Sequence, residues 1–221
     1  MHTKVANESR NMCLPDWTKD VKTQRLILRR MYSQFDFSKE ETGDHDSERF
    51  LVIPHLKKFV NSYADAVSKE IALFEKFLGH NFINHTKSEV GPNLGHYLHR
   101  TREKEIEIKL AKISKLGNYA YLKAQIGTDP VYREKPVCDL KMHHGEAGLG
   151  IWEIGNFILT HLDYFKNYSG VCGIVCPGDY TSGHGRKHPY FVIGSQTIEL
   201  ELLPHNLVPT LPSGIATFVA K

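Results

Sequence analysis

Between Leu56 and Phe77 the apolar residues Leu56, Phe59, Val60, Tyr63, Val67, Ile71, Phe74 and Phe77 recur at spacings of three and four. After Gly117 that period gives way to short runs of aromatic and β-branched residues punctuated by Gly and Pro. Residues three or four apart share one face of a helix, whereas strand side chains alternate, so the switch marks two kinds of structure along one chain. The expected fold class is α+β, a helical N-terminal half packed on a mixed β-sheet C-terminal half.

The boundaries follow from caps and breakers. Residues 1–46 read as a polar N-terminal segment with one short helix in "TKDVKTQRLILRRMYSQF", closed by the acidic, turn-rich "SKEETGDHDSE". Residues 47–221 read as a single α+β domain with helices over 50–116. Ser47 caps the first of these, Pro54 is accepted only in its first turn, and Gly79 stops it. A second helix is expected from Pro92 to Leu116, with Leu94, Leu98, Ile106, Leu110 and Ile113 on its apolar face. Mainly strands are expected over 118–221: "NYAYLKAQI", "PVCDLKM", "VCGIVC", a hairpin of "YFVIG" and "TIELELL" around Ser195-Gln196, and "GIATFVA". One helix interrupts them near 149–167, carried by the stripe Ile151, Ile154, Ile158, Leu162 and Phe165. "MHHGE" and "PGDYTSGHGRKHP" read as loops, and both follow expected strands, which places them at one cleft beyond strand ends.

A chain of 221 residues buries a core without disulfides or metals to hold it. Hydrophobic residues at 41% and charged residues at 24% exclude a disordered or fibrous chain, and a net charge of +3 does not by itself mark a nucleic-acid binder. No secretory apolar segment follows the polar start, and no apolar run reaches the roughly 18 residues of a membrane span. The four cysteines are therefore expected as free thiols in an intracellular protein. Cys172 and Cys176 fall on one strand face, where buried core thiols are expected ahead of a zinc or redox pair.

The strongest chemical pattern lies in "TDPVYREKPVCDLKMHHGE". Val131-Tyr132 and the stretch from Pro136 to Lys141 form the arms of an expected hairpin, with Asp129 entering the first arm and Asp139-Leu140-Lys141 ending the second. Two converging carboxylates, Asp129 and Asp139, make a hard-oxygen site for Mg²⁺, which polarises a phosphodiester oxygen. Lys141 then orients the attacking water and stabilises charge on phosphorus.

This arrangement resembles the PD-(D/E)xK nuclease superfamily, in which an Asp and an (Asp/Glu)-x-Lys motif sit on adjacent strands of a core of a helix, three strands, a helix and a strand. The matching residues are Asp129, Asp139 and Lys141, and the resemblance spans about Pro92 to Cys176. It departs from the pattern in that Pro130 follows Asp129 rather than preceding it. The resemblance implies Mg²⁺-dependent hydrolysis of nucleic acid, with Glu103 or Glu107 completing the site. The (Asp/Glu)-x-Lys pattern also occurs at Asp20-Val21-Lys22 and Glu107-Ile108-Lys109, but only the third copy sits on an expected strand behind a spaced Asp. The same residues also suit a hairpin with solvent-facing charges.

Two further readings stand beside it. His143, His184, Arg186, Lys187 and His188, on histidine- and glycine-rich loops, suit phosphate binding or metal-independent cleavage of RNA, one histidine taking the 2′-OH proton and another protonating the leaving oxygen. A noncatalytic binding or assembly module, its helical half docked on a partner, fits the same composition.

Overall fold

The computed structural model describes residues 18–33, 50–100, 118–127, 137, 146–167, 169–182, 185–207 and 213–219. In chain order the elements are α1 (Val21–Met31), β1 (Leu51–Pro54), α2 (Leu56–Phe59), α3 (Tyr63–Leu78), a 3₁₀ turn (Gly79–Asn81), β2 (Phe82–Asn84) and α4 (Thr86–Val90). A second 3₁₀ turn (Leu94–His96), β3 (Leu98–Arg100), β4 (Tyr119–Gly127), β5 (Glu146–Gly148), α5 (Ile151–Thr160) and α6 (Leu162–Lys166) follow. The chain ends in β6 (Cys172–Val175), β7 (Asp179–Thr181), β8 (Lys187–Ile193), β9 (Ile198–Pro204) and β10 (Ser213–Val219). The fold is α+β, and among the described residues no helix is long and apolar enough to cross a membrane.

One mixed sheet carries the strands in the order β1-β4-β10-β6-β8-β7-β3. β4 changes partner along its length, pairing Tyr119–Leu122 with β1 and Lys123–Gly127 with β10. β10 runs antiparallel to β4 and β5 and parallel to β6. The expected hairpin is present, with β8 and β9 in register from Lys187 opposite Pro204 to Ile193 opposite Ile198. Along β9, Ile198, Leu200 and Leu202 are buried and alternate with Glu199 and Glu201, the period-2 pattern of a strand with one face in the core.

Local chemistry fixes the helices. Asp20 caps α1, its carboxylate accepting the Thr23 N–H at 2.8 Å. Ser62 caps α3 by accepting the Asp65 N–H, and Gly79 ends α3 in a positive-φ conformation (57°) that most residues adopt only under strain. Gln24 of α1 is fully buried and serves β1 in place of a neighbouring strand: its amide N–H donates to Phe50 O at 2.8 Å and its oxygen accepts Val52 N–H at 3.0 Å.

All ten residues of α5 are buried, and the helix packs against α1, α3 and β1. Trp152 at its start is 1% exposed and donates its indole N–H to Pro54 O at 3.2 Å, which ties α5 to β1. Cys176 lies inside the main core, and Cys172 packs against it. Burial, with Asp179, Glu70 and Glu153 nearby, pushes the Cys176 thiol well above its ordinary range, so it stays protonated.

Three expectations need correction. Residues Phe50 to Phe77 do not form one helix: β1 takes Leu51–Pro54, and α2 ends before the Ser62 cap of α3. Pro54 closes a strand instead of opening a helix, a position where its missing N–H costs nothing. The helix expected from Pro92 does not start there, because Leu94–His96 is a 3₁₀ turn and Leu98–Arg100 is β3, held by its ladder with β7. Nor is the stretch from Pro177 to Pro189 all loop, since β7 and the start of β8 fall within it. The expected strand "PVCDLKM" lies outside the described residues except for Val137, which is buried against Val175 and Tyr190.

Candidate functional site

The short ladder of β3 with β7 organises the most polar region of the molecule. Its register sets Leu98 opposite Thr181, His99 opposite Tyr180 and Arg100 opposite Asp179. Because strand side chains alternate, this ladder presents Arg100 and Asp179 on one face and His99 and Tyr180 on the other. The first face is buried among the helices. The second is turned outward, with His99 exposed and Tyr180 half-buried.

On the buried face, the N-terminus of α5 gathers two carboxylates. Asp179 Oδ2 accepts the Ile151 N–H at 2.7 Å, and Glu153 Oε2 accepts the Gly150 N–H at 2.8 Å. These satisfy helix-end donors that have no partner within the helix, and negative charge is favoured at that end. Arg100 donates from Nη2 to Glu153 Oε1 at 2.6 Å, stands 3.7 Å from Asp179 Oδ1, and stacks on Tyr63 with its guanidinium carbon 4.2 Å from the ring centroid. Tyr63 donates its hydroxyl to Asp179 Oδ2. Only glycine fits at position 150, where a Cβ would come 2.5 Å from Asp179 Oδ2 and 2.6 Å from the Tyr63 hydroxyl.

A third carboxylate, Glu70 of α3, lies in the same interior. Its Oε1 accepts the Asn156 amide N–H at 2.9 Å, Asn156 Oδ1 accepts from Tyr32, and Glu70 Oε2 has no hydrogen-bond partner among the described residues. Among the described residues three buried carboxylates share one guanidinium, and the low-dielectric interior favours protonation of the excess. Burial, then the nearby Glu153 and Asp179, pushes Glu70 well above the carboxylate range. Burial raises Asp179 to about 6 against the opposing pull of Arg100. Burial and the Asp179 charge raise the Tyr63 phenol, which keeps it a donor. Burial works against the charge on Arg100, but Glu153, Tyr63 and Asp179 together hold its pKa above the ordinary arginine value.

A cleft of about 530 Å³ is lined from both sides of the ladder, by Tyr63 and Arg100 from the buried cluster and by His99 and Tyr180 from the outer face, with Gly95 and His96 of the 3₁₀ turn. Gly95 lets the 3₁₀ turn approach α3, where a Cβ would come 2.6 Å from Ala64 O. At the rim, Ser182 Oγ and His99 Nε2 are 2.6 Å apart, the His99 ring stacks on Tyr180 (5.5 Å, 27°), and Arg186 lies 4.2 Å over the Tyr180 ring. A hydroxyl within hydrogen-bond reach of an imidazole nitrogen, beside a cation on an aromatic face, can bind an anionic, flat group and activate an oxygen nucleophile.

The residues singled out from sequence distribute unevenly around this cleft. Arg186 stands at its rim. Lys187 forms an ion pair with Glu89. His188, expected on a phosphate-binding loop, lies on β8 and is 3% exposed. It hydrogen-bonds Asp179 O at 2.7 Å and His205 Nδ1 at 2.8 Å, and burial lowers its pKa to about 4, so it is neutral near pH 7. Asp129, Asp139, Lys141, His143, His184, Glu103 and Glu107 lie outside the described residues, as does most of the "MHHGE" loop expected to share a cleft with this region.

His96, His99, Arg100 and Ser182 were not chosen from sequence, because the first three fell inside an expected helix. Glu70 and Glu153 had a visible signal, since Glu153 interrupts the apolar run "GIWEIGNF" and Glu70 falls at helical spacing on the stripe of Val67, Ile71 and Phe74. A carboxylate on an apolar helix face is rarely fully buried without a partner. Comparison with protein-family models, curated proteins and solved structures gave no match.

Proposed function

We propose that this chain is a hydrolase of nucleic-acid phosphodiesters that works through the His99–Ser182 pair. The single observation that carries the reading is the 2.6 Å approach of Ser182 Oγ to His99 Nε2 at the rim of a cleft that also holds His96. In the Nδ1–H tautomer His99 Nε2 accepts the Ser182 proton, and the freed Oγ attacks phosphorus. The leaving oxygen takes that proton back from His99. Water, deprotonated by His99, then breaks the phosphoserine bond and restores Ser182. Arg186 on Tyr180 supports a nucleic-acid substrate, since a cation beside an aromatic face suits a phosphate with its adjoining base.

The test is cleavage of labelled single-stranded RNA and DNA by the full chain in the presence of a chelator. Turnover that falls by about 100-fold or more in both His99→Ala and Ser182→Ala is the expected result, the usual weight of a general base. Cleavage that requires Mg²⁺ and survives both substitutions would transfer the proposal to Asp129, Asp139 and Lys141. Saturable binding without turnover would leave the noncatalytic binding module.

A further inference from the structure

A second group of convergent donors lies on the outer part of the sheet. β2 pairs in parallel with β9, Ile83 opposite Glu199 and Asn84 opposite Leu200, and the chain continues this edge to His85, whose N–H donates to Leu200 O at 3.0 Å. Glu199 and Glu201 are two apart on β9 and project from the same face. His85 is thereby brought beside both. Its Nε2 is 2.9 Å from Glu199 Oε2, and one ligand atom from each of His85, Glu199 and Glu201 lies within 4.8 Å of the others.

The strand register keeps this group away from the cleft. Glu199 and Glu201 stand opposite Val192 and Tyr190 of β8, whereas Arg186 precedes Lys187 at the far end of the hairpin. Like charges two apart on one strand face repel, and no described Lys or Arg forms an ion pair with either glutamate. The Glu201 carboxylate makes no hydrogen bond or ion pair among the described residues, and its charge contributes to raising Tyr190 to about 12, after burial. A cation between His85 and the two glutamates removes that repulsion.

We propose that His85 Nε2, Glu199 and Glu201 form a binding site for a divalent transition ion of the Zn²⁺ class. An imidazole with two carboxylates is a mixed nitrogen and oxygen set that suits Zn²⁺, Co²⁺ or Mn²⁺ better than Ca²⁺ or Mg²⁺, which take all-oxygen shells. Ligand atoms bound at about 2.0–2.2 Å in a tetrahedral shell stand about 3.4 Å apart, and the three here already lie within 4.8 Å of one another. His85 is exposed and both glutamates are half-buried, so the fourth position faces water. The site is open rather than sealed by protein ligands.

The experiment is titration of the full chain with Zn²⁺ by calorimetry, and with Co²⁺ by visible absorption, at pH 7. One saturable ion per chain is expected, with the intense d–d bands of low-coordinate cobalt. His85→Ala and Glu201→Gln are each expected to weaken binding at least tenfold, because removing a ligand costs no less than removing an outer-shell partner. His85 is exposed and Glu201 half-buried, and retained thermal unfolding of each variant separates lost binding from lost fold. Wild-type chain without saturable one-to-one binding overturns the site. So does binding that both variants retain, since it then belongs to other histidines.

Discussion

Glu70 of α3 lies against Gly155 of α5, where a Cβ would come 2.4 Å from Glu70 Cδ. The core-facing side of α3 meets the fully buried α5 at this point, with a carboxyl group filling the space a side chain would need. Gly155→Ala is expected to destabilise the fold by about 1–3 kcal/mol through overpacking, despite the better helix propensity of alanine. Urea denaturation checks this, and a variant as stable as wild type would mean that Glu70 leaves the position freely.

Glu70→Gln is expected to stabilise the protein at neutral pH. The folded pKa of Glu70 is raised above its unfolded value near 4.5, so the stability this group confers is present below that value and is lost as pH rises toward the folded pKa. Glutamine mimics the protonated acid and removes the loss. The advantage of the variant is expected to be near zero at pH 4 and to grow by about 1.4 kcal/mol per pH unit until the folded pKa is passed. Denaturation midpoints across pH 4 to 8 measure it.

Among the described residues Arg100 is the one guanidinium beside the buried carboxylates Glu70, Glu153 and Asp179, and its side chain and that of Glu153 are 5% and 2% exposed. Arg100→Leu is expected to cost about 3–5 kcal/mol, because removing one partner leaves the other charge buried and unpaired. Adding Glu153→Leu is expected to recover part of that loss. A double variant no more stable than the single would refute the pairing as the source of the cost.

His161 predicts an acid-sensitive tie between α5 and the chain before α1. Its Nδ1–H donates to Phe157 O at 2.8 Å and its Nε2 accepts the Lys19 N–H at 2.9 Å, so only the neutral ring serves both. Burial lowers its pKa from 6.5 to about 4. With the folded pKa depressed, this contribution is complete above pH 6.5 and is lost as pH falls toward 4, by about 1.4 kcal/mol per unit. His188 acts with the same sign, whereas Asp179, raised to about 6, acts with the opposite sign over 3.8 to 6. The slope for wild type minus that for His161→Phe isolates His161, and equal slopes would contradict the assignment.

Much of the architecture was legible one segment at a time. The helix within residues 18–35, the body of α3 with its Gly79 stop and the β8–β9 hairpin all appear, and the one helix expected near 149–167 appears as two, α5 and α6, parted at His161. Misreadings began where short apolar runs suit both states. "FLVIP" joined the helical stripe that follows it, and "HYLHR" joined one expected from Pro92. In the structure both are strands, fixed by partners far along the chain, β4 for Leu51–Pro54 and β7 for Leu98–Arg100.

The sequence by itself determined the α+β class, the Gly79 stop of α3 and the alternation that buries Ile198, Leu200 and Leu202 while leaving Glu199 and Glu201 half-exposed. Tertiary structure alone decided that Arg100 meets Asp179, that His99 meets Ser182, and that Glu70, Glu153 and Asp179 share one interior. Periodicity records which face of an element is apolar, and that is a local property. Which charges converge depends on strand register and helix packing between distant segments, where one residue of slip carries a side chain to the opposite face.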